Sequence, residues 1–258
     1  MKITSLAENT AFDKRFEAEH GLSLYIETER CQILFDMGQS DLFERNAEKC
    51  GIDLSKVDFA VLSHGHYDHG GGLKRFLALN QTAPIYLSRF AFEPHYNGSE
   101  KYIGLDISLK EEKRLIFTGD SYQIAPGITL LSCNDRSKRV DLGSFGLNMM
   151  ENDILKPDDF RHEQYLLIEE NGKKILFSGC SHKGILNIVQ WFSPDVLIGG
   201  FHFSKLPLDD TLKSYAEELN RYHTDFYTCH CTGCEQYRLM QQHMKRLSYL
   251  SAGQTIII

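Results

Sequence analysis

The amino-acid sequence predicts a single layered α/β domain that extends over residues 1–258. A length of 258 residues allows one large core and is short for two domains. Strand-like and helix-like patterns alternate from end to end with short connections, as they do in α/β folds. No low-complexity segment or linker divides the chain. These observations together favour one α/β unit with an ample core.

The composition excludes several classes of protein. A net charge of -7 argues against nucleic-acid binding, because no basic run would contact a phosphate backbone. No window approaches the roughly twenty apolar residues that span a bilayer, and the polar start Met1–Ser5 lacks the core of a signal peptide. Seven cysteines, an odd number, do not suggest a disulfide framework. We therefore expect a cytoplasmic protein with reduced thiols and a small-molecule substrate, without a nucleic-acid or membrane partner.

The first elements are predicted to open a sheet. Residues 2–9 have a strand pattern, and the apolar runs 22–26 and 32–36 flank a turn, which indicates a hairpin. Asp36 ends the second run, where its carboxylate either supports metal ligands or only begins a turn. A serine N-cap and a terminal glycine then bound a helix over 40–51.

The chain is centred on the stretch Ser63–Gly72, which follows a buried strand pattern. It contains the pattern HxHxDH, and neutral imidazole and carboxylate are donors that zinc and similar ions take. A backbone that leaves a strand can turn His64 and His66 to one point while Asp68 and His69 reach another. The spacing therefore predicts a metal site with room for two ions. The three glycines that end the stretch are expected to let a substrate approach closely.

The segment that follows is less regular. Helix and strand patterns extend over 72–87, and residues 90–113 are interpreted as an insertion that borders the site. His95 in that insertion is interpreted as structural. Asp120 ends a strand-like run, but turn residues after it favour a hairpin to 128–131 over a metal-binding role for Asp120.

A second group of potential ligands follows a hairpin. Apolar runs flank Asn171-Gly172, the strongest short hairpin signal in the chain. Pairing through that turn places position 163 opposite Cys180 and therefore His162 beside it. Cys180 and His182 leave a strand and precede a helix, with the same spacing as the first two histidines of HxHxDH. Two potential ligands are thus expected to converge there.

The last third contains two more strand ends with histidine. A buried strand over 195–202 ends in His202, which either reaches the substrate or is structural. A strand over 225–228 ends in the run CHCTGC, at residues 229–234. A separate structural zinc site would need four ligands, usually as two pairs, and no second cysteine pair completes it. His230 is therefore the better single ligand, and its neighbouring cysteines are interpreted as buried small residues.

Three of these strand ends, which carry HxHxDH, then Cys180 with His182, then His230, resemble the ligand order of the metallo-β-lactamase superfamily. The resemblance extends over nearly the whole chain. The resemblance implies a four-layer αββα sandwich of two mixed sheets flanked by helices, with the site at one edge. It also implies which residues bind metal. The first metal would take His64 and His66, and the second would lie at Asp68, His69 and His230.

Two positions depart from the superfamily pattern or leave it open. Cys180 stands where most relatives have a bridging aspartate, and a thiolate favours zinc, with manganese or iron as alternatives. The third ligand of the first metal is either His182, which the phrase SGCSHKG favours, or His162. Within the superfamily, SGCSHKGILNIV, GGFHF, EHGLS and HCTG are similar to the dihydropterin-ribofuranosylaminobenzene 5'-phosphate synthases. His20, Lys183 and His162 are expected as substrate contacts.

The sequence therefore predicts a metal-dependent hydrolase that uses two divalent ions on a small anionic molecule such as a phosphate ester. Asp68 would take part in proton transfer as well as bind metal, and His202 or His162 would act on the leaving group. Two alternatives remain open. One is a synthase-like transferase that releases pyrophosphate, and the other is a non-catalytic metal or ligand sensor.

Overall fold

A computed structural model describes residues 1–258 and consists of eighteen strands, six α-helices and three short 3-10 turns. The strands are β1 (Lys2–Ala7), β2 (Ser23–Glu27), β3 (Gln32–Phe35), β4 (Phe59–Val61), β5 (Ile85–Ser88), β6 (His95–Asn97), β7 (Lys101–Tyr102), β8 (Leu115–Thr118), β9 (Ser121–Ala125), β10 (Ile128–Leu131), β11 (Leu147–Glu151), β12 (Ile154–Pro157), β13 (Tyr165–Glu170), β14 (Lys173–Phe177), β15 (Val196–Gly199), β16 (Asp225–Thr228), β17 (Leu247–Tyr249) and β18 (Thr255–Ile257). The helices are α1 (Leu42–Lys49), α2 (Tyr67–Gly70), α3 (Leu73–Leu79), α4 (Ile185–Phe192), α5 (Asp210–Leu219) and α6 (Cys234–Gln241).

Two seven-stranded mixed sheets form the body of the fold. Their orders are β18-β1-β2-β3-β4-β5-β8 and β17-β16-β15-β14-β13-β10-β9. The predicted hairpin of β2 and β3 pairs antiparallel, whereas β3, β4, β5 and β8 run parallel. In the second sheet, β14 to β17 run parallel. Functional side chains follow β4, β14, β15 and β16, and the carboxyl ends of parallel strands are where α/β sheets place their ligands.

Alternating side chains divide the apolar core into three layers. In β3, Ile33 lies in the layer between the two sheets, while Leu34 packs beneath α1 and α3. In β14, Phe177 lies between the sheets, while Leu176 packs beneath α4 to α6. This arrangement is the four-layer αββα sandwich that the resemblance implies, and it confirms the predicted fold class. None of the six helices is long and apolar enough to cross a membrane.

The predicted tight hairpin between β13 and β14 is confirmed. Asn171 and Gly172 both have positive φ, at 52° and 74°, as a two-residue hairpin turn requires. Leu166 pairs with Phe177, which is the predicted register.

The insertion over 90–113 belongs to a third sheet that the sequence pattern did not indicate. Its strands β6 and β7 join β11 and β12 in the order β12-β11-β6-β7. These strands are only two to five residues long, and most of their residues are exposed or half-buried, so they carry little sequence pattern.

The hairpin expected after Asp120 is only partly correct. The run that ends before Asp120 is β8, which pairs with β5 in the first sheet, whereas β9 pairs with β10 in the second. The chain therefore changes sheet at Asp120. Its exposed carboxylate lies 3.7 Å from the guanidinium of Arg89, in agreement with the interpretation that it binds no metal at the site.

Candidate metal centre

The HxHxDH stretch leaves β4 as a loop that is anchored on one carboxylate. Asp36 accepts hydrogen bonds of 2.7 Å from the backbone N–H of Ser63, from the Ser63 hydroxyl and from Nδ1 of His69. Asp36 is fully buried and adopts a φ of 60°. Its side chain thus supports the loop and also orients one of its imidazoles.

The glycines that end this stretch do not serve substrate access, which corrects that expectation. A Cβ at Gly71 would lie 2.3 Å from the carbonyl oxygen of Gln39, and one at Gly72 would lie 2.2 Å from that of Met37. They allow the loop to pack directly on the backbone that follows β3. Neither glycine lines the cavity.

Three donor side chains from both sheets converge around the imidazole of His69. Its Nε2 lies 3.2 Å from Sγ of Cys180 and 3.2 Å from Nε2 of His230. The carboxylate of Asp68 lies 3.3 Å from Nε2 of His230. All four side chains are buried.

Three more donors converge beside this group. Nε2 of His64 lies 3.3 Å from Nε2 of His182, and His66 completes a group whose donor atoms lie within 4.8 Å of one another. Cys180 lies within the same distance of both His64 and His69, so its thiol adjoins both groups. Between the two alternatives that the sequence left open, the structure brings His182 to His64 and not His162.

Hydrogen bonds show that a cation fits among these nitrogens. His69 donates its Nδ1–H to Asp36, and Nδ1 of His230 lies 2.8 Å from the amide oxygen of Asn9. When both rings are neutral, each carries a lone pair on Nε2, and these two lone pairs face each other across 3.2 Å. A positive ion between them removes this repulsion. Imidazole, thiolate and carboxylate together are a donor set that suits zinc.

The pKa values of the imidazoles also favour a bound cation. Burial lowers the pKa of His64 and of His182 well below the ordinary value, and neighbouring imidazoles lower both further. Burial also lowers the pKa of His69, but the carboxylates of Asp36 and Asp68 outweigh it and raise that pKa to about 9. Neutral imidazoles are the form that binds metal, and the site stabilises positive charge at His69.

His162 does not have the position that the sequence predicted. The Gly65 N–H donates to its Nδ1 at 2.9 Å, and its Nε2 lies 3.3 Å from Asp158. It does not line the cavity and lies instead among the residues behind His66. The expected position was extrapolated beyond β13, which begins only at Tyr165, and no strand pairing directs the side chain at 162.

Lys183 is also directed away from the cavity. Its ammonium group donates to the carbonyl oxygen of Ser132 at 2.5 Å, to Oδ1 of Asn134 at 2.7 Å and to the carbonyl oxygen of Glu163 at 2.9 Å. These acceptors use all three of its protons. Burial lowers the pKa of Lys183 to about 8. The side chain is buried away from the cavity, so its role is structural.

Two predicted contacts do line the cavity. Nε2 of His20 lies 3.2 Å from the carboxylate of Asp68, and the side chain is 56% exposed. The ring of His202 lies 4.3 Å from that of His182 and follows β15. Both are therefore placed to meet a molecule in the cavity.

Two residues of the site were not predicted. The first is Cys231, which lines the cavity and whose Sγ donates to the carbonyl oxygen of Cys180 at 3.4 Å. Of the other two cysteines in this run, Cys234 is exposed and Cys229 joins no group of potential ligands. A Cβ at Gly200 would lie 2.3 Å from the Cys231 sulfur. Asn9, which orients His230, lies just after β1. A polar residue at a strand end was the only sequence signal for it.

The cavity in front of these donors has a volume of about 210 Å³. The third sheet contributes part of its wall through Asn97, Lys101 and Leu147, as expected for a bordering insertion. Nζ of Lys101 lies 5.6 Å from the centre of the Tyr67 ring. Lys205 lies on the opposite segment after β15 and donates to the carbonyl oxygen of Phe145 at 2.9 Å.

Comparison with known proteins agrees with this geometry. A sequence model described as the metallo-beta-lactamase superfamily matches residues 17–219. An uncharacterised protein of Methanocaldococcus jannaschii is 30% identical over 240 residues, which are 90% of each chain. A 7,8-dihydropterin-6-methyl-4-(β-D-ribofuranosyl)-aminobenzene-5'-phosphate synthase of the same organism is 28% identical and covers 99% of this chain and 96% of its own.

Solved structures give the same result. A metal-dependent hydrolase of the β-lactamase superfamily superposes with a TM-score of 0.87 at 29% identity, over 100% of this chain and 99% of its own. A metallo-β-lactamase fold protein from Bacillus subtilis superposes with a TM-score of 0.61 at 14% identity, over 99% and 98%. With the strand-end donors on two packed sheets, these matches show that the chain belongs to the metallo-β-lactamase superfamily.

Proposed function

We propose that this protein is a metal-dependent hydrolase of a small anionic molecule such as a phosphate ester. The observation that carries the proposal is the convergence of seven donor side chains in two adjoining groups at the edge of a cavity. The solved structure that superposes on this chain with a TM-score of 0.87 is that of a metal-dependent hydrolase.

The donor set fits two divalent ions, with zinc favoured by the thiol and manganese or iron as alternatives. His64, His66 and His182 would hold one ion, and Asp68, His69 and His230 would hold the other, with Cys180 next to both. Ions bound there would supply a water of lowered pKa and stabilise developing negative charge.

The side chains around the ions have separate roles in this proposal. Asp68 would accept a proton from the attacking water, and His20 would orient its carboxylate through the 3.2 Å contact. His202 lines the cavity beside His182 and would give a proton to the leaving group. Proton transfer of this kind contributes typically about 10²–10⁴-fold to a rate.

The charges along the cavity support an anionic substrate. Asp68 is the only carboxylate that lines it, and Lys101 and Lys205 are the two permanent cations. With metal bound, the cavity would be positive although the whole chain has a net charge of -7. A volume of about 210 Å³ suits a small molecule, with no need for a nucleic-acid or membrane partner. The seven cysteines are all free, in keeping with a cytoplasmic location.

The test is turnover of a panel of phosphate monoesters, phosphodiesters, lactones and carboxylic esters by zinc-loaded and chelator-treated protein. We expect metal-dependent turnover of phosphate esters, and a loss of about 10²-fold or more in kcat for Asp68→Asn. Lys101→Ala should raise KM with little change in kcat. Lys110→Ala removes an exposed lysine of the same insertion outside the cavity and should change neither. Unchanged turnover in Asp68→Asn would refute the mechanism.

A second candidate is a synthase-like transferase that releases pyrophosphate. The relative at 28% identity over 99% of this chain is a 7,8-dihydropterin-6-methyl-4-(β-D-ribofuranosyl)-aminobenzene-5'-phosphate synthase, and this coverage favours the candidate. Incubation with a dihydropterin pyrophosphate and a ribofuranosylaminobenzene phosphate, followed by a pyrophosphate assay, distinguishes it from hydrolysis. Ligand binding without turnover in either assay would instead support the sensor alternative.

A further inference from the structure

A second group of donor side chains lies behind the metal centre, and His66 is its one member that lines the cavity. It consists of His66, His95, Asp158 and His162, all buried, with donor atoms within 4.8 Å of one another. Oδ2 of Asp158 lies 2.8 Å from Nδ1 of His95, 3.3 Å from Nε2 of His162 and 3.9 Å from Nε2 of His66. By composition alone, this group could be a third metal site or a hydrogen-bonded support.

The hydrogen bond to His162 distinguishes these possibilities. The backbone N–H of Gly65 donates to Nδ1 of His162 at 2.9 Å, so that nitrogen carries a lone pair. An imidazole ring with a lone pair on Nδ1 has its proton on Nε2, the nitrogen that faces Asp158. That nitrogen therefore cannot bind a metal, and the group lacks a ligand for a third ion.

Asp158 is instead placed to accept hydrogen bonds. Its Oδ1 accepts the N–H of Phe160 at 2.8 Å, and its Oδ2 faces His95, His162 and His66. Nε2 of His66 is buried and makes no hydrogen bond, but it faces the Asp158 carboxylate at 3.9 Å, and the same ring lines the cavity. Nδ1 is consequently the nitrogen of His66 on the cavity side.

We propose that Asp158, with His95 and His162, is a positioning group for His66: it keeps the His66 proton on Nε2 and so presents the Nδ1 lone pair to the metal. The inference rests on the proposed metal site. Asp36 has the matching role for His69: it keeps the His69 proton on Nδ1 and so leaves the lone pair on Nε2. Because His95 begins β6 and Asp158 follows β12, the third sheet both borders the cavity and orients one of its ligands.

Long-range ¹H–¹⁵N NMR of protein with ¹⁵N-labelled histidine tests this without any substitution. We expect His66 and His162 as Nε2–H tautomers and His95 as the Nδ1–H tautomer, with and without zinc. On loading, two zinc ions per chain should bind and His66 alone should show a metal-bound Nδ1. A third zinc, a metal-bound shift at His95 or His162, or an Nδ1–H tautomer of His66 would overturn the proposal. If no zinc binds, the proposed function fails, while the metal-free tautomers still test the inference.

Asp158→Asn tests the consequence for metal binding. The weaker acceptor should reduce one of the two zinc-binding constants by about 10–100-fold and leave the other unchanged, as is usual for residues that orient metal ligands. The matched control is Asp159→Asn, which changes the exposed neighbouring carboxylate and should alter neither constant. Unchanged constants and an unchanged His66 tautomer in Asp158→Asn would contradict the proposal. If the variant does not fold, the wild-type spectra decide.

Discussion

The two halves of the metal centre are built in different ways. The first sheet supplies four donors within six residues of one loop, and the single side chain of Asp36 anchors that loop. The second sheet supplies Cys180, His182 and His230 from the ends of two strands. Two different side chains hold these segments: Glu163 accepts the N–H of His182 at 2.6 Å, and Glu8 accepts the N–H of His230 at 2.6 Å. The donors of the first, local half are therefore neighbours in the sequence, whereas those of the second, distributed half meet only through the tertiary fold.

The largest expected effect is in the local half, where one side chain has several partners. Asp36→Ala would leave the N–H and hydroxyl of Ser63 and the Nδ1–H of His69 without an acceptor in a fully buried place. Removing one partner of such a buried charged network costs about 3–5 kcal/mol. Urea unfolding of the metal-free protein measures the loss.

Asp120→Ala is the matched control for Asp36→Ala, because it removes an exposed aspartate. It should change the unfolding free energy by less than about 0.5 kcal/mol. If Asp36→Ala lost no more stability than Asp120→Ala, the anchoring role of Asp36 would be wrong.

The distributed half can be examined with its two adjacent thiols. Cys180→Ser should weaken zinc binding by more than about 100-fold, since even residues that only contact ligands reach that range. Cys231→Ser should weaken it by less than about tenfold, because that sulfur contacts the carbonyl oxygen of Cys180 and is outside the proposed ligand set. Competition with a chromophoric chelator measures both. Equal losses would instead make Cys231 a ligand.

The same contrast explains what the sequence could predict. His64, His66, Asp68 and His69 share one strand-end loop, so spacing alone placed them together. The α/β class and the β13–β14 register also followed from local patterns, because apolar alternation and Asn171-Gly172 determine them. The four-layer arrangement followed only from the resemblance to the superfamily.

The rest depended on contacts between distant segments. His95 was interpreted as structural, but its partnership with Asp158 becomes visible only when the third sheet forms. Strands as short as β6 and β7 carry too little pattern to predict that sheet. Lys183 lies next to a ligand in sequence, yet three acceptors from elsewhere in the fold bury its ammonium group. Adjacency in sequence did not determine the side-chain direction.

The smallest effect on function should come from Lys183 itself, in the distributed half. Lys183→Met keeps the apolar stem and removes the three donors, so three acceptors, two of them buried, lose their partner. We expect a loss of about 1–3 kcal/mol in unfolding free energy. KM should stay unchanged, because the side chain does not line the cavity. The matched comparison is Lys205→Met, which changes an exposed lysine at the cavity and should raise KM with little change in stability. If Lys183→Met raised KM and left stability intact, Lys183 would be a substrate contact after all, and the separation between support and binding in this half of the site would not hold.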